Sequence, residues 1–292
     1  MKSNLKSTSK LFENFMKGVF TLCGFVAVLF VAVITVFLFV SGIPAIKEIG
    51  IKEFLFCAVW SPTSKIPEFG ILPFILTSVM GTAGAIIIGV PIGLMCAIYI
   101  AKFAPKKLCG TLREAVSLLS GIPSVVYGLV GMIVIVPTVR TVFNIPDGAN
   151  LFSAILVLSI MILPSVISVS ETAINAVPHE YEEGSLALGA TKTETVFKVS
   201  VPTAKSGILA SVVLGRGRAV GEAMAVMMVS GNVANMPQLF KSVRFLTTAV
   251  ASEMSYSSGL HRETLFSIAL VLFIFILIIN LILNLIIKRK KD

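Results

Sequence analysis

The stretch FGILPFILTSVMGTAGAIIIGVPIGLMCAIYIA, Phe69 to Ala101, contains no aspartate, glutamate, lysine or arginine. A helix rises about 1.5 Å per residue, so roughly 20 residues cross about 30 Å of hydrocarbon, and this stretch is longer than that. Four other windows share the property: Gly18–Ile46, Ala115–Val139, Gly148–Ser170 and Thr264–Ile287. A sixth apolar stretch, Ser206–Gly231, is interrupted only by Arg216, Arg218 and Glu222. The chain as a whole is 56% hydrophobic and 13% charged, with a mean hydropathy of +0.96, which is far from a soluble globular composition. The sequence therefore predicts an all-α membrane protein with about six transmembrane helices. Its organisation reads as a basic tail at 1–17, a first transmembrane helix at 18–41, an extracytoplasmic loop at 42–68, a core of five further helices at 69–287, and a basic tail at 288–292.

Lysine and arginine set the orientation. Lys2, Lys6, Lys10 and Lys17 precede the first window, Lys102, Lys106, Lys107 and Arg113 fill the second connection, Lys192, Lys198 and Lys205 the fourth, and Lys288, Arg289, Lys290 and Lys291 the end. The alternate connections hold only Lys47, Lys52, Lys65, Arg140, Lys241, Arg244 and Arg262. The positive-inside rule then makes both termini cytoplasmic. The first window exceeds the core of about 7 to 15 residues of a secretory signal, and no A-x-A follows it, so it reads as a retained helix. The net charge of +9 is accounted for by topology and by attraction to anionic membrane lipid, without nucleic acid as a partner.

Within the windows, Pro91, Pro123, Pro137 and Pro164, with Gly89-x-x-x-Gly93, mark helices that pack closely on protein. Trp60, the only tryptophan, reads as an interface anchor. Cys23, Cys57, Cys96 and Cys109 form no C-x-x-C pair. His179 and His261 fall on opposite faces of the membrane, so no metal site is expected.

The fourth connection, Glu171 to Lys205, has structure written into it. Pro178 followed by HEYEE predicts a helix with proline in its first position and carboxylates near the positive end of the dipole. Gly189 stops it, Thr191-x-x-Glu194 forms a capping box for a second short helix, and Pro202 closes the region. Two look-alikes fail. Gly184-x-x-x-x-Gly189 has the glycine spacing of a P-loop, but Ala190 stands where the phosphate-gripping lysine belongs. Gly215-x-Gly217 has Val220 in place of the third glycine and no strand before it. No nucleotide or other cofactor is expected on this chain, and no catalytic residue.

EEGSLALGATKTETVFKVSVP, Glu182 to Pro202, resembles the EAA motif of ABC importer permeases. Counted from Glu183, Gly189, Val199, Val201 and Pro202 keep its register, while Gly184 and Ser185 replace its two alanines. In that family the motif helix docks on a separate cytoplasmic ATPase. The resemblance thus assigns Glu182, Glu183, Leu186, Gly189 and Ala190, in a loop at 173–204, to ATPase coupling. GIPSVVYGLVG (121–131), GRAVGEAMAVMMVSGN (217–232) and FLTTAVASEM (245–254) are similar to the PstC family of phosphate-importer permeases. That resemblance implies the type I ABC importer permease fold in a bacterial plasma membrane. It also implies a PstA-like permease as heterodimer partner, a PstB-like ATPase dimer that binds ATP and Mg, and an extracytoplasmic PstS-like phosphate-binding protein. The PstA type shares part of these motifs and stands as an alternative, as does a permease for sulfate or molybdate.

An ionised side chain at mid-membrane costs about 2.5 to 3.5 kcal/mol on insertion scales, so it is retained where it faces protein or water. On a continuous helix Arg218 and Glu222 lie about 40° apart, and Arg216 lies about 160° from Arg218. The expectation is that Arg218 and Glu222 line the substrate path. Base before acid is the weaker helical order, so Arg218 could leave Glu222 and grip an oxyanion with its planar fork. Arg216 is open between snorkelling, pairing with a partner subunit and adding positive potential. An ion-coupled transporter working alone would call for inverted repeats and more intramembrane acids, and a membrane enzyme for clustered acids or histidines. The sequence has neither.

Overall fold

The computed structural model describes the backbone of residues 2–289 and the side chains of residues 13–282. In chain order the helices are α1 (Lys2–Ile49), α2 (Ile51–Phe56), α3 (Leu72–Ile98), α4 (Lys106–Gly121), α5 (Ser124–Val130), α6 (Val136–Val142), α7 (Leu151–Asn175), α8 (His179–Ala187), α9 (Lys192–Thr195), α10 (Val201–Thr203), α11 (Lys205–Val220), α12 (Met224–Val229), α13 (Leu246–Glu253) and α14 (Gly259–Arg289). Widened, π-helical turns at Tyr99–Phe103, Gly131–Ile135 and Val196–Ser200 extend α3, join α5 to α6 and join α9 to α10. Two short strands, β1 (Trp60–Ser61) and β2 (Glu68–Phe69), pair antiparallel between α2 and α3. The basic tail at 288–292 runs past the described backbone.

Five helical segments are long and apolar enough to cross a membrane: Glu13–Ile49, Leu72–Phe103, Ser124–Val142, Leu151–Asn175 and Gly259–Ile282. The helix of the first already begins at Lys2 and runs to Ile49, beyond the limits read from charge alone. The third begins nine residues later than its charge-free window. The residue before a proline is held extended, and Ile122, before Pro123, has ψ 127°. The helix containing Ala115 therefore ends at Gly121, and α4 becomes a separate helix with no buried residue.

The sixth crossing is also corrected. Instead of one helix over Ser206–Gly231, α11 stops at Val220, Gly221–Ala223 form a break, and α12 continues. At about 1.5 Å per residue α11 is about 24 Å long, short of a full span. Before it, the segment Lys192–Thr203 meets Lys205–Val220 at 69°. Length and composition thus give five crossings, or six where this bent pair is counted as one, and six is the even number that two cytoplasmic termini require.

The core lies where α3, α7, α11 and α12 meet, filled by Leu158, Met161, Ile162, Val166, Ala225, Val226 and Val229. Glycine makes the close approach possible. A Cβ on Gly89 would lie 2.7 Å from Ile162 Cδ1 and 2.9 Å from the Ser159 carbonyl oxygen, so only a hydrogen lets α3 rest on the α7 backbone. Gly128 does the same for α5 on α12, since its Cβ would lie 2.8 Å from Ala225 Cα. By contrast α1 packs mainly on α14, held by Ser267 Oγ donating to the Gly42 carbonyl at 2.6 Å, and its most apolar stretch is unburied. It is a peripheral, lipid-facing helix.

Candidate functional site

The break between α11 and α12 decides the geometry of the two intramembrane charges expected to pair. Glu222 is not on the α11 helix, so it does not share a face with Arg218. Its Oε1 accepts the Ala225 N–H at 2.9 Å, and its own carbonyl accepts Thr247 Oγ1 at 2.7 Å. The first N–H groups of α12 lack helical partners, and in a dry interior an orphan donor recruits the nearest carboxylate. Gly221 is the C-cap of α11, its N–H bonded to the Gly217 carbonyl at 3.3 Å. Glu222 therefore caps α12 while α13, through Thr247, fixes the break.

Arg218, in the last turn of α11, is left half-buried. Among the described residues its guanidinium makes neither an ion pair nor a side-chain hydrogen bond. Tyr127 in α5 donates its hydroxyl to the Leu119 carbonyl at 2.7 Å. Arg216 points away and is buried, with 6% of its surface exposed. Its Nη2 donates to Asn280 Oδ1 on α14 at 2.6 Å, while Nε and Nη1 have no partner among the described residues. Within the chain Arg216 therefore meets α14, a contact that was not among the options read from the sequence.

The surface loop forms as its local signals require, with one shift. Pro178 is the N-cap of α8 rather than its first residue. Gly189 has φ +89°, a conformation that favours glycine and stops the helix. The capping box is complete, with Thr191 Oγ1 accepting the Glu194 N–H at 3.3 Å and Glu194 Oε2 accepting the Thr191 N–H at 3.0 Å. The two adjacent acids diverge. Glu182 turns inward, where Lys102 Nζ lies 2.5 Å and Ser200 Oγ 2.7 Å from its Oε1. Burial works to raise its carboxyl, but the Lys102 and Ser200 hydrogen bonds and the Lys102 charge outweigh it and hold the group below its ordinary value. Glu183, Leu186 and Gly189 face outward, Ala190 is half-buried, and Leu188 and Tyr181 add exposed apolar surface at 92% and 56%. Leu188 was missed in the sequence, although an exposed leucine directly before a stop glycine is a readable signal.

At the opposite end Trp60, read from the sequence as an interface anchor, packs within the chain. Its ring meets Phe74 edge-on with centroids 5.4 Å apart, and its Nε1 donates to Glu253 Oε2 at 3.3 Å. Glu253 also takes Arg244 Nη1 and, at 2.8 Å, His261 Nε2. This buried polar cluster joins the β1–β2 segment to α13 and α14.

With this geometry in view, residues 89–292 match the family described as binding-protein-dependent transport system inner membrane component. The chain is 37% identical over 276 residues to the probable ABC transporter permease protein YqgH of Bacillus subtilis, covering 93% of this chain and 89% of that one. It is 31% identical over 300 residues to the phosphate transport system permease protein PstC of Haemophilus influenzae, covering 96% and 94%, and 33% identical over 290 residues to that of Pasteurella multocida, covering 92% and 89%. Among solved structures, the MetNI methionine ABC transporter in an inward-facing conformation aligns with a TM-score of 0.59 at 20% identity, covering 75% of this chain and 94% of that one. An amino acid ABC transporter aligns with a TM-score of 0.54 at 21% identity, covering 75% and 92%.

Proposed function

Because the chain belongs to the family of inner membrane components of binding-protein-dependent transport systems, we propose that the anion it conducts is inorganic phosphate and that Arg218 lies on the path. The protein is a multi-pass permease subunit of an ABC importer, and a partner permease, a separate ATPase and a binding protein go with that role. Phosphate as cargo, and PstA-like, PstB-like and PstS-like partners, rest on its similarity to the PstC permeases. ATP and Mg belong to the ATPase, and this chain carries out no covalent step.

One observation supports the role of Arg218 most: a half-buried guanidinium beside a helix break, with its expected carboxylate partner turned away to cap α12. A planar fork without a protein anion is suited to two parallel hydrogen bonds to an oxyanion in a site of low dielectric. Glu222 sits four residues on and acts by holding the break that presents Arg218. ATP closes the ATPase dimer, α8 with Glu183, Leu186, Gly189 and Ala190 transmits that closure, and access alternates between the two faces. The test is uptake of labelled phosphate into vesicles that contain the complete importer and internal ATP, with sulfate and molybdate as competitors. Uptake that needs ATP and resists both competitors is the expected result. Uptake without nucleotide, or transport of sulfate or molybdate in its place, would overturn the assignment.

A further inference from the structure

Between α4 and α7, on the cytoplasmic side by the charge bias, lies a cavity of about 790 Å³. Its polar lining comes from Arg113 and Glu171, from the serines Ser117, Ser120, Ser165 and Ser168, and from Thr172 and Asn175. Arg113 uses only Nε in its bond to Glu171 Oε1, at 2.5 Å. Its side chain is 53% exposed, whereas Glu171 is 10% exposed. The two Nη nitrogens therefore remain on the open side. Leu214 of α11 also lines the cavity, and Arg218 follows one turn later on the same helix face, about 6 Å along the axis. The cavity thus begins where the proposed path past Arg218 ends.

We propose that this cavity is the release site through which the oxyanion leaves to the cytoplasm, with Arg113 as its cation and the four serines as hydroxyl donors. The inference rests on the reading of Arg218 above. Glu171 is a positioning residue in it, with two effects: it fixes the edge of the guanidinium, and its charge brings the pair to zero net charge. An anion then meets hydrogen-bond donors without a strong electrostatic trap. That suits release, since a conducting site must bind firmly enough to admit and weakly enough to let go. The pair also predicts a sign. Removing Arg113 abolishes anion binding in the cavity, while neutralising Glu171 strengthens it and slows turnover. A pair that merely held α4 on α7 would weaken in the same direction whichever partner was lost.

The experiment uses the complete importer in nanodiscs, with Cys23, Cys57, Cys96 and Cys109 replaced by serine and Ala176→Cys, at an exposed lining position with no donor role, introduced as the reporter. N-ethylmaleimide reacts with the thiolate, whose population follows nearby charge, so protection is read within each variant as the ratio of labelling rates without and with phosphate. Inorganic phosphate at twice its dissociation constant should slow labelling about threefold, the one-site occupancy factor. Arg113→Gln should remove this protection, Arg113→Lys should keep most of it, and Glu171→Gln should increase it. Equal protection in Arg113→Gln, no protection in the parent, or weaker protection in Glu171→Gln would overturn the release site. A wild-type complex that fails to import phosphate with ATP would instead refute the proposed cargo.

Discussion

Replacing Lys102 with methionine keeps the length of the side chain and removes the charge that holds Glu182. The two side chains are 10% and 17% exposed, too little for solvent to screen them as it does a surface pair. Breaking a buried pair by removing one partner costs about 3–5 kcal/mol, because the other charge stays behind. Ser200 Oγ still reaches Glu182 at 2.7 Å, so the low end applies. About 3 kcal/mol is roughly a hundredfold in the equilibrium between attached and detached α8, at 1.36 kcal/mol per tenfold. Hydrogen exchange on the detergent-purified complex without nucleotide should show amides of His179–Leu188 opening roughly a hundredfold more often, with α7 unchanged. Adding Glu182→Gln removes the stranded charge and should recover most of that loss. The pH sign follows from the lowered carboxyl: its stabilisation is complete above the ordinary value of 4.5 and disappears as pH falls through the lowered one. Unchanged exchange in Lys102→Met, or a double variant as open as the single one, would refute the reasoning.

Gly128→Val should destabilise the chain by about 1–3 kcal/mol through overpacking, because its Cβ would meet Ala225 Cα at 2.8 Å. The thermal unfolding midpoint in detergent should fall, while Gly18→Val, with nothing within 4 Å, leaves it in place. Leu188→Asp, at a residue 92% exposed, should keep the permease folded and abolish its stimulation of the ATPase, measured as phosphate release. Arg216→Met should be neutral or stabilising and keep transport, since it replaces a buried guanidinium with two unpartnered nitrogens by apolar volume. Chemical denaturation alongside an uptake assay checks both parts.

Much of this fold is legible because spanning a membrane is a summed property of about 20 residues, and five charge-free windows became five spanning segments. The capping box at Thr191 and Glu194 and the stop at Gly189 are legible because both ends of each signal lie within a few residues. What escaped depends on partners far away in the chain. Nothing near Glu182 distinguishes it from Glu183, since Lys102 is contributed by the end of α3. Arg216 meets Asn280 across 64 residues, and Trp60 meets Glu253 across 193. The break after Val220 was hidden for a different reason. A glycine inside a span is ordinarily a packing residue, and nothing around Gly221 in the sequence shows that Glu222 turns to the Ala225 N–H of a second helix. The pairing of Arg218 with Glu222 assumed a continuous helix and failed with it.

The most direct test of the central claim is phosphate uptake by complexes carrying Arg218→Ala or Arg218→Lys that assemble and still hydrolyse ATP in response to the loaded binding protein. The account predicts that alanine abolishes uptake while hydrolysis continues, and that lysine, a point charge without the fork, retains a small fraction. Wild-type uptake in both variants would contradict it.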